Sequence, residues 1–195
     1  MDAREKHALY SNLRENIVEH VFIGQLLQRL WQLGIVDAEI LKSEFDAGGY
    51  DLVLSCRSVN RHIQLKVGRV DGTTAEVKVS TKLAGRASGC VVWILVDDDL
   101  CFKGFRWFGA APGESLPDIS AFPVAKHTKG TAEGVKNQRP DHRVVKRTKF
   151  ESLSNLDHLL ARLLGKDIMN SPNPHIYISA AHLADYLYDG DGLPA

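Results

Sequence analysis

Residues 48–67 read Gly-Gly-Tyr-Asp-Leu-Val-Leu-Ser-Cys-Arg-Ser-Val-Asn-Arg-His-Ile-Gln-Leu-Lys-Val, and the interpretation of the rest of the chain depends on this stretch. Alternating side chains on both sides of a polar turn at Arg57–Asn60 predict a β-hairpin. Successive side chains of a strand point to opposite faces. We therefore expect Asp51, Gln64 and Lys66 on one face, with Asp51 across from Lys66 and diagonal to Gln64. The other face of the hairpin should be wholly apolar.

A long helix is predicted over residues 3–33, ended by Gly34. Glu19 falls near the middle of its apolar arc, and Glu15 lies one turn earlier on the same side. A carboxylate aimed at a core needs a partner, because its unpaired burial is costly or forces protonation. The alternative is that this end of the helix overhangs the core and leaves both glutamates in solvent. The arc itself comprises Phe22, Ile23, Leu26, Leu27, Leu30 and Leu33.

The remaining pattern predicts an α/β or α+β fold, with a mixed central β-sheet flanked by helices. Further strands are expected at 35–45, 75–83, 90–96 and 100–108, and helices at Leu153–Leu164 and Ser179–Tyr188. The continuously apolar 90–96 suits a strand buried on both faces. We expect residues 1–125 to form the core. Residues 126–195 should add a basic loop and a C-terminal helical extension packed on the same domain.

Charge is balanced over the chain, with 24 Lys and Arg against 24 Asp and Glu in 195 residues. Such neutrality argues against wholesale polyanion binding, so a nucleic-acid surface would need local segregation of charge. Residues 126–149 have that segregation, with eight basic side chains against two acidic ones. This stretch is either a solvated loop or a phosphate-contacting surface. The candidate contacts are Lys126, Lys129, Lys136, Arg139, Arg143, Lys146 and Arg147.

Three cysteines and eight histidines show no metal-ligand spacing, which argues against a zinc site. The odd cysteine count and lack of short-range pairing suit a reducing cytosol rather than a disulfide framework. The N-terminus has no signal-peptide hydrophobic region, and no apolar run approaches the ~20 residues of a membrane span. We therefore expect a cytoplasmic protein without a membrane association.

The polar face of the hairpin has the chemistry of a metal site if Glu19 reaches the same patch. Two carboxylates and the amide oxygen of Gln64 are hard oxygen ligands that suit Mg²⁺ or Mn²⁺. Such an ion lowers the pKa of a bound water and stabilises a phosphate that undergoes displacement. Lys66 beside it could orient or deprotonate the water, or neutralise the charge of the phosphorane.

A helix with a glutamate, then Gly-Tyr-Asp51-Leu-Val, then Ile-Gln64-Leu-Lys66, resembles the PD-(D/E)XK nuclease superfamily over roughly residues 15–96. Glutamine in the third motif is similar to the Mrr-like branch. The resemblance implies a restriction-endonuclease-like fold, with a mixed four-stranded sheet and helices on both sides. It also implies Mg²⁺- or Mn²⁺-dependent hydrolysis of phosphodiester bonds in DNA.

Residue by residue, the resemblance implies that Asp51 is the central metal ligand and Gln64 the ligand on the second strand. The main-chain carbonyl of Leu65 would be a further ligand, Lys66 the catalytic lysine, and Glu19 the helix acid. Glu15 is an alternative to Glu19. Asp46 is a weaker competitor for the place of Asp51.

Three functions are compatible with these observations. The first is a metal-dependent endonuclease with DNA as its partner and no small-molecule organic cofactor, with a homodimer left open. The second is a catalytically silent member that binds nucleic acid or a protein, because the neutral Gln64 removes one negative charge from the site. The third is an interaction protein that works through its C-terminal third, which a truncation after Phe150 would separate.

Overall fold

A computed structural model of the chain describes residues 2–43, 45, 48–127, 137–166 and 170. Its helices are α1 (Ala3–Leu9), α2 (Ser11–Gln32), α3 (Thr81–Ala84) and α4 (Leu156–Leu164). The helix expected over residues 3–33 is therefore two helices that meet at Tyr10. Gly34 follows α2 with a positive φ of 72°, a conformation that glycine adopts at little cost, which confirms the predicted stop. None of the helices in the described ranges is long and apolar enough to cross a membrane.

Within the described ranges, nine strands form two sheets. They are β1 (Ala38–Lys42), β2 (Leu52–Cys56), β3 (Val59–Arg69), β4 (Glu76–Ser80), β5 (Gly89–Val96), β6 (Phe102–Gly109), β7 (Val124–Lys126), β8 (Gln138–Lys146) and β9 (Glu151–Leu153). The central sheet has the order β1-β2-β3-β5-β6-β9, and a smaller sheet has the order β4-β8-β7. Only β3 and β5 pair in parallel, so the central sheet is mixed. The predicted α+β class with a mixed central sheet is confirmed.

The β2–β3 hairpin has the predicted faces but a different register. Its turn contains only Arg57 and Ser58, with Arg57 at a φ of 52°, and Val53 pairs with His62. The prediction that Asp51 lies across from Lys66 is wrong by two residues, because it placed the turn centre one residue too late. A shift of two residues leaves every side chain on its predicted face, since the alternation of a strand has a period of two.

Two hydrophobic cores lie on the two faces of the central sheet. On one face, α2 and α4 pack against the sheet through fully buried residues such as Phe22, Leu26 and Leu160. On the other, Val79 and Val145 of the small sheet and Leu83 of α3 pack against the second face. β5 contributes to both cores, as its uniformly apolar sequence predicts.

The hairpin face that we expected to be wholly apolar contains a charged side chain. Arg61 is fully buried, and its guanidinium lies 5.1 Å from the centre of the Trp107 ring. It donates to the carbonyls of Ala110 and Arg162 at 2.7 Å and to that of Leu163 at 2.8 Å. Burial lowers the pKa of Arg61. These carbonyls replace the hydration of the cation, and two of them belong to the last turn of α4, whose dipole favours positive charge.

The small sheet contains two segments for which the sequence predicted a different structure. The strand expected at 75–83 ends at Ser80 and pairs with β8 outside the central sheet. Residues 138–146, expected within a basic loop, form the central strand of this second sheet. The helix expected at Ser179–Tyr188 lies outside the described residues.

Candidate functional site

A cavity of about 340 Å³ opens at the edge of the central sheet, where β3 continues past the first residue of β2. It brings together four of the predicted site residues, which are Glu19, Asp51, Leu65 and Lys66. Glu15, the alternative to Glu19, also lines it. Thr74, Val77 and Trp93 complete the opposite wall. Residues from α2, from the hairpin and from the second core therefore meet in one place.

Main-chain hydrogen bonds to Ile63 on one side and to Ser43 on the other hold Asp51 in place. Its N–H donates to the carbonyl of Ile63 at 2.9 Å, and its own carbonyl accepts from Ser43 at 3.0 Å. Its carboxylate accepts a 2.6 Å hydrogen bond from the N–H of Leu65. Gly49 enters this turn at a φ of 74°, and a Cβ there would overlap the side chain of Ser80. Glycine is thus required for the chain to approach Ser80 and present Asp51 to β3.

The main-chain carbonyl of Leu65 faces the same side as Asp51. In a strand, the N–H and C=O of one residue point to the same neighbouring strand. Since the N–H of Leu65 points to the Asp51 carboxylate, its C=O also points away from β5 and toward the open edge. The role of Leu65 as a metal ligand stays a prediction.

Glu19 reaches the cavity from α2 and forms an ion pair with Lys42 of β1. The Lys42 Nζ to Glu19 Oε1 distance is 2.5 Å, and the Glu19 side chain is only 19% exposed. Glu15 is more open, with a side chain that is 55% exposed and 3.4 Å from Arg14. Both acids line the cavity, but Glu19 is held more firmly. Asp46, the competitor for the place of Asp51, lies outside the described residues.

Gln64 is the predicted ligand that the structure leaves out of the cavity lining. Its residue is only 6% exposed, and its side-chain oxygen accepts from the N–H of Ser80 at 3.4 Å. Lys66, two residues along the same face, does line the cavity and pairs in register with Trp93 of β5. In this conformation the amide serves the contact between β3 and β4 rather than the cavity.

Trp93 and Lys42 belong to the site although the sequence did not single them out as functional. Trp93 lines the cavity while 98% buried, and its Nε1 has no hydrogen-bond partner among the described atoms. The guanidinium of Arg106 lies 5.0 Å from the centre of its ring. The apolar run around Trp93 predicted only a core role. A role for Lys42 could have been predicted from the sequence, because it is a cation at the end of the strand that precedes the Gly-Tyr-Asp segment.

The basic candidates separate into two groups on the small sheet. Lys126, Arg139 and Arg143 lie where β7 pairs with β8. Lys146 and Arg147 lie at the other end, where the N–H of Arg147 donates to the carbonyl of Ala75 at 2.7 Å. Ala75 adjoins the cavity residue Thr74, so this second group borders the site. Two further candidates, Lys129 and Lys136, are outside the described residues.

The oxygen ligands around the cavity are few. They suit a Mg²⁺ or Mn²⁺ ion that keeps several water ligands better than a cation that is coordinated mainly by protein. No group of three His, Cys, Asp or Glu side chains in the described part of the chain is placed to hold a metal ion. Mg²⁺, however, is commonly held by one or two carboxylates, with water and substrate phosphate completing its shell. A carboxylate has about four acceptor sites, so the hydrogen bond from Leu65 does not preclude coordination by Asp51.

Comparisons with known proteins do not identify the chain. Searches against protein-family models, curated proteins and solved structures find no match to it.

Proposed function

We propose that this protein is a metal-dependent nuclease that hydrolyses phosphodiester bonds of DNA. The observation that carries the proposal is the cavity shared by Glu19, Asp51, Leu65 and Lys66. Glu19 belongs to α2, and the other three residues belong to the β2–β3 hairpin or directly precede it. Together they supply two carboxylates, a main-chain carbonyl and an ammonium. The same residues carry the sequence resemblance to PD-(D/E)XK nucleases.

Asp51, Glu19 and the Leu65 carbonyl are the groups that would hold Mg²⁺ or Mn²⁺. When bound, the ion would lower the pKa of a coordinated water and offset the charge that develops on the phosphate. The half-buried Lys66 would orient the attacking water or neutralise the charge of the phosphorane. In the phosphorane the water oxygen has joined phosphorus while the bond from phosphorus to the leaving oxygen lengthens. The attacking water gives up a proton to the solvent, and the leaving oxygen takes a proton from a solvent water.

A DNA backbone can approach the cavity along the end of the small sheet. Arg147 follows Lys146 there, and both side chains are exposed. Arginine and lysine at a site border bind phosphate oxygens without reading sequence.

We also propose that the protein is cytoplasmic. Its three cysteines are all free thiols, which suits a reducing compartment.

A second candidate function is a catalytically silent protein of the same fold that binds nucleic acid. The observation that favours it is the placement of Gln64, whose buried oxygen bonds to Ser80 instead of facing the cavity. A site with two acids and no third side-chain ligand would bind a cation more weakly. DNA binding would then persist without hydrolysis.

The two candidates differ in one assay. Supercoiled plasmid and single-stranded DNA are incubated with the purified protein in Mg²⁺, in Mn²⁺ and in excess EDTA, while binding is followed by fluorescence anisotropy. Metal-dependent cutting that EDTA abolishes supports the nuclease. Binding with no cutting in either metal supports the silent protein, and the absence of both contradicts the two candidates together.

A further inference from the structure

We infer that the protein forms an antiparallel homodimer through the outer face of α2. That face, together with the residue that precedes α2, carries an exposed apolar stripe, defined as Tyr10, Leu13, Ile17, Val21, Leu27 and Trp31. Exposure ranges from 37% at Leu27 to 71% at Trp31. The opposite face of the same helix holds the fully buried Phe22 and Leu26 in the core. A helix with apolar residues on two faces normally has both faces covered.

The area of the stripe matches that of a protein interface. Its exposed fractions correspond to roughly 600 Å² per copy, before flanking residues are added, against roughly 800 Å² per partner in a standard interface. Monomeric proteins rarely expose a contiguous apolar patch of this size without a function for it. The stripe also contains two large aromatic residues, which commonly supply most of the binding energy at interfaces.

The spacing of the stripe is that of a helix-packing seam. Tyr10, Ile17, Gly24 and Trp31 recur every seven residues. The positions three residues after the first three of them are Leu13, His20 and Leu27, so one exposed histidine lies in an otherwise apolar seam. Residues at these two heptad positions face a partner helix. A heptad seam on the solvent side of α2 therefore predicts a second helix packed along it.

Gly24 supplies an independent observation. It is exposed in the middle of α2, and a Cβ built on it would meet no atom within 4 Å. Glycine destabilises a helix interior relative to alanine, and none of the described residues requires it here. A partner helix does require it, because glycine lets a large side chain of that helix approach the backbone.

The stripe is complementary to itself when two copies of α2 run antiparallel. A two-fold axis between residues 20 and 21 places Ile17 across from Gly24 of the second copy, and Tyr10 across from Trp31. In this register Arg14 lies across from Leu27 and His20 across from Val21, and the two helix dipoles oppose each other favourably. A surface that supplies both the protruding residue and the space for it forms a closed dimer.

Trp31 is the expected anchor of the interface. A cleft of about 120 Å³ lies at the other end of the stripe, lined in part by Tyr10, Leu13, Ile17 and Leu100. The antiparallel register brings Trp31 of the second copy to this cleft. An exposed tryptophan that enters an apolar cleft on its partner is typical of an interface hot spot.

The first test is sedimentation equilibrium of the full chain from about 1 to about 100 µM, which detects dissociation constants in the micromolar range. Wild type should be a dimer at the upper end. Trp31→Ala should raise the dimer dissociation constant at least about 30-fold. Val70→Glu is the matched control, since Val70 is 48% exposed but lies outside the stripe, and it should leave the dissociation constant unchanged.

Gly24→Ala separates the interface from helix stability. Alanine should raise the thermal stability of the monomer, yet weaken the dimer, because its methyl group fills the space expected for Ile17. A dimer that tightens together with monomer stability would overturn the proposed packing.

Cross-linking tests the register in a Cys101→Ser background, which removes the exposed native thiol. Ile17→Cys combined with Gly24→Cys should give a covalent dimer on oxidation, whereas Ile17→Cys alone should not. Self-linkage of Ile17→Cys alone would indicate parallel helices and overturn the inference. A wild type that stays monomeric at 100 µM would also overturn it, including the case in which residues 171–195 cover the stripe within one chain.

Discussion

The carboxylate of Asp51 accepts a hydrogen bond of 2.6 Å from the main-chain N–H of Leu65. This contact extends the hydrogen bonding between β2 and β3 beyond Leu52, the first residue of β2. A side-chain carboxylate accepts the bond there instead of a main-chain carbonyl. It therefore joins two roles in one residue, since the group that fixes the end of the hairpin is also the proposed metal ligand. Variants of Asp51 must be chosen so that these roles separate.

Asp51→Ala should lower the free energy of unfolding by roughly 1–3 kcal/mol, because the Leu65 N–H loses a charged acceptor beside a largely buried strand. Asp51→Asn should cost less, because its amide oxygen can still accept that hydrogen bond. Urea unfolding at neutral pH measures both values. Equal losses in the two variants would mean that the hydrogen bond does not stabilise the hairpin.

The hairpin and its polar face could be predicted because their signals are local. Alternation assigned Asp51, Gln64 and Lys66 to one face, and that assignment does not depend on the register to within two residues. The register itself was wrong, since it depends on a positive φ at Arg57 that its residue type does not favour. The conformation of Gln64 could not be predicted either, because its partner Ser80 belongs to a strand of the second sheet.

The small sheet and the buried Arg61 were missed for a shared reason. β4 pairs with β8 about seventy residues later, and no local pattern encodes such a pairing. Arg61 is stabilised by carbonyls at Ala110, Arg162 and Leu163, which are equally remote along the chain. Truncation after Phe150 would remove β9 and α4, including the carbonyls of Arg162 and Leu163, so it would disrupt the core and cannot isolate a C-terminal function.

Arg61→Met should lower the free energy of unfolding by at least about 3 kcal/mol, because three carbonyls would lose the N–H donors of a fully buried guanidinium. Arg61→Lys should also destabilise the fold, since an ammonium cannot reproduce the fork of a guanidinium. Arg4→Met is the matched control, as the Arg4 side chain is 75% exposed. Urea unfolding that shows equal stability for Arg61→Met and Arg4→Met would contradict this role.

In the proposed metal site Lys42 would compete with the ion for Glu19, and its removal should reveal this. Lys42→Met should change stability by less than about 1 kcal/mol, because the lysine side chain is half exposed. The apparent affinity for Mn²⁺ should rise by roughly 2- to 5-fold, the equivalent of that ion pair. Calorimetric titration with Mn²⁺ measures the change, with Lys82→Met as control. An affinity that falls would show that Glu19 is not a ligand.

Cys90 predicts a loss of stability at high pH. Burial raises the pKa of its thiol from 9.0 to about 12. Since the folded pKa lies above the unfolded one, the neutral thiol favours the fold below about pH 9, and this contribution disappears as the pH rises toward 12. The free energy of unfolding of Cys90→Ala should therefore fall less steeply across this range than that of wild type. Parallel slopes in urea unfolding at several pH values would contradict the prediction.

The thiols should also differ in reactivity at pH 8. Cys56 and Cys90 are buried while Cys101 is exposed, so a thiol reagent should modify Cys101 rapidly in the native protein. All three should react after unfolding in urea, because burial alone protects the other two. Mass spectrometry of the modified protein identifies the sites. Rapid native modification of Cys90 would mean that β5 is not buried as described.

The central claim is that the cavity with Asp51 and Lys66 cuts DNA with the help of a divalent ion. The most direct measurement is the initial rate of plasmid nicking in Mg²⁺ by wild type, Asp51→Asn and Lys66→Met, with the exposed Asp99→Asn and Lys82→Met as charge-matched controls. We predict that both site variants lose at least about 100-fold in rate, as expected for removal of one electrostatic or acid–base group, while the controls keep the wild-type rate. Nicking that persists in both site variants, or a folded wild type that cuts no DNA in either metal, would contradict the claim.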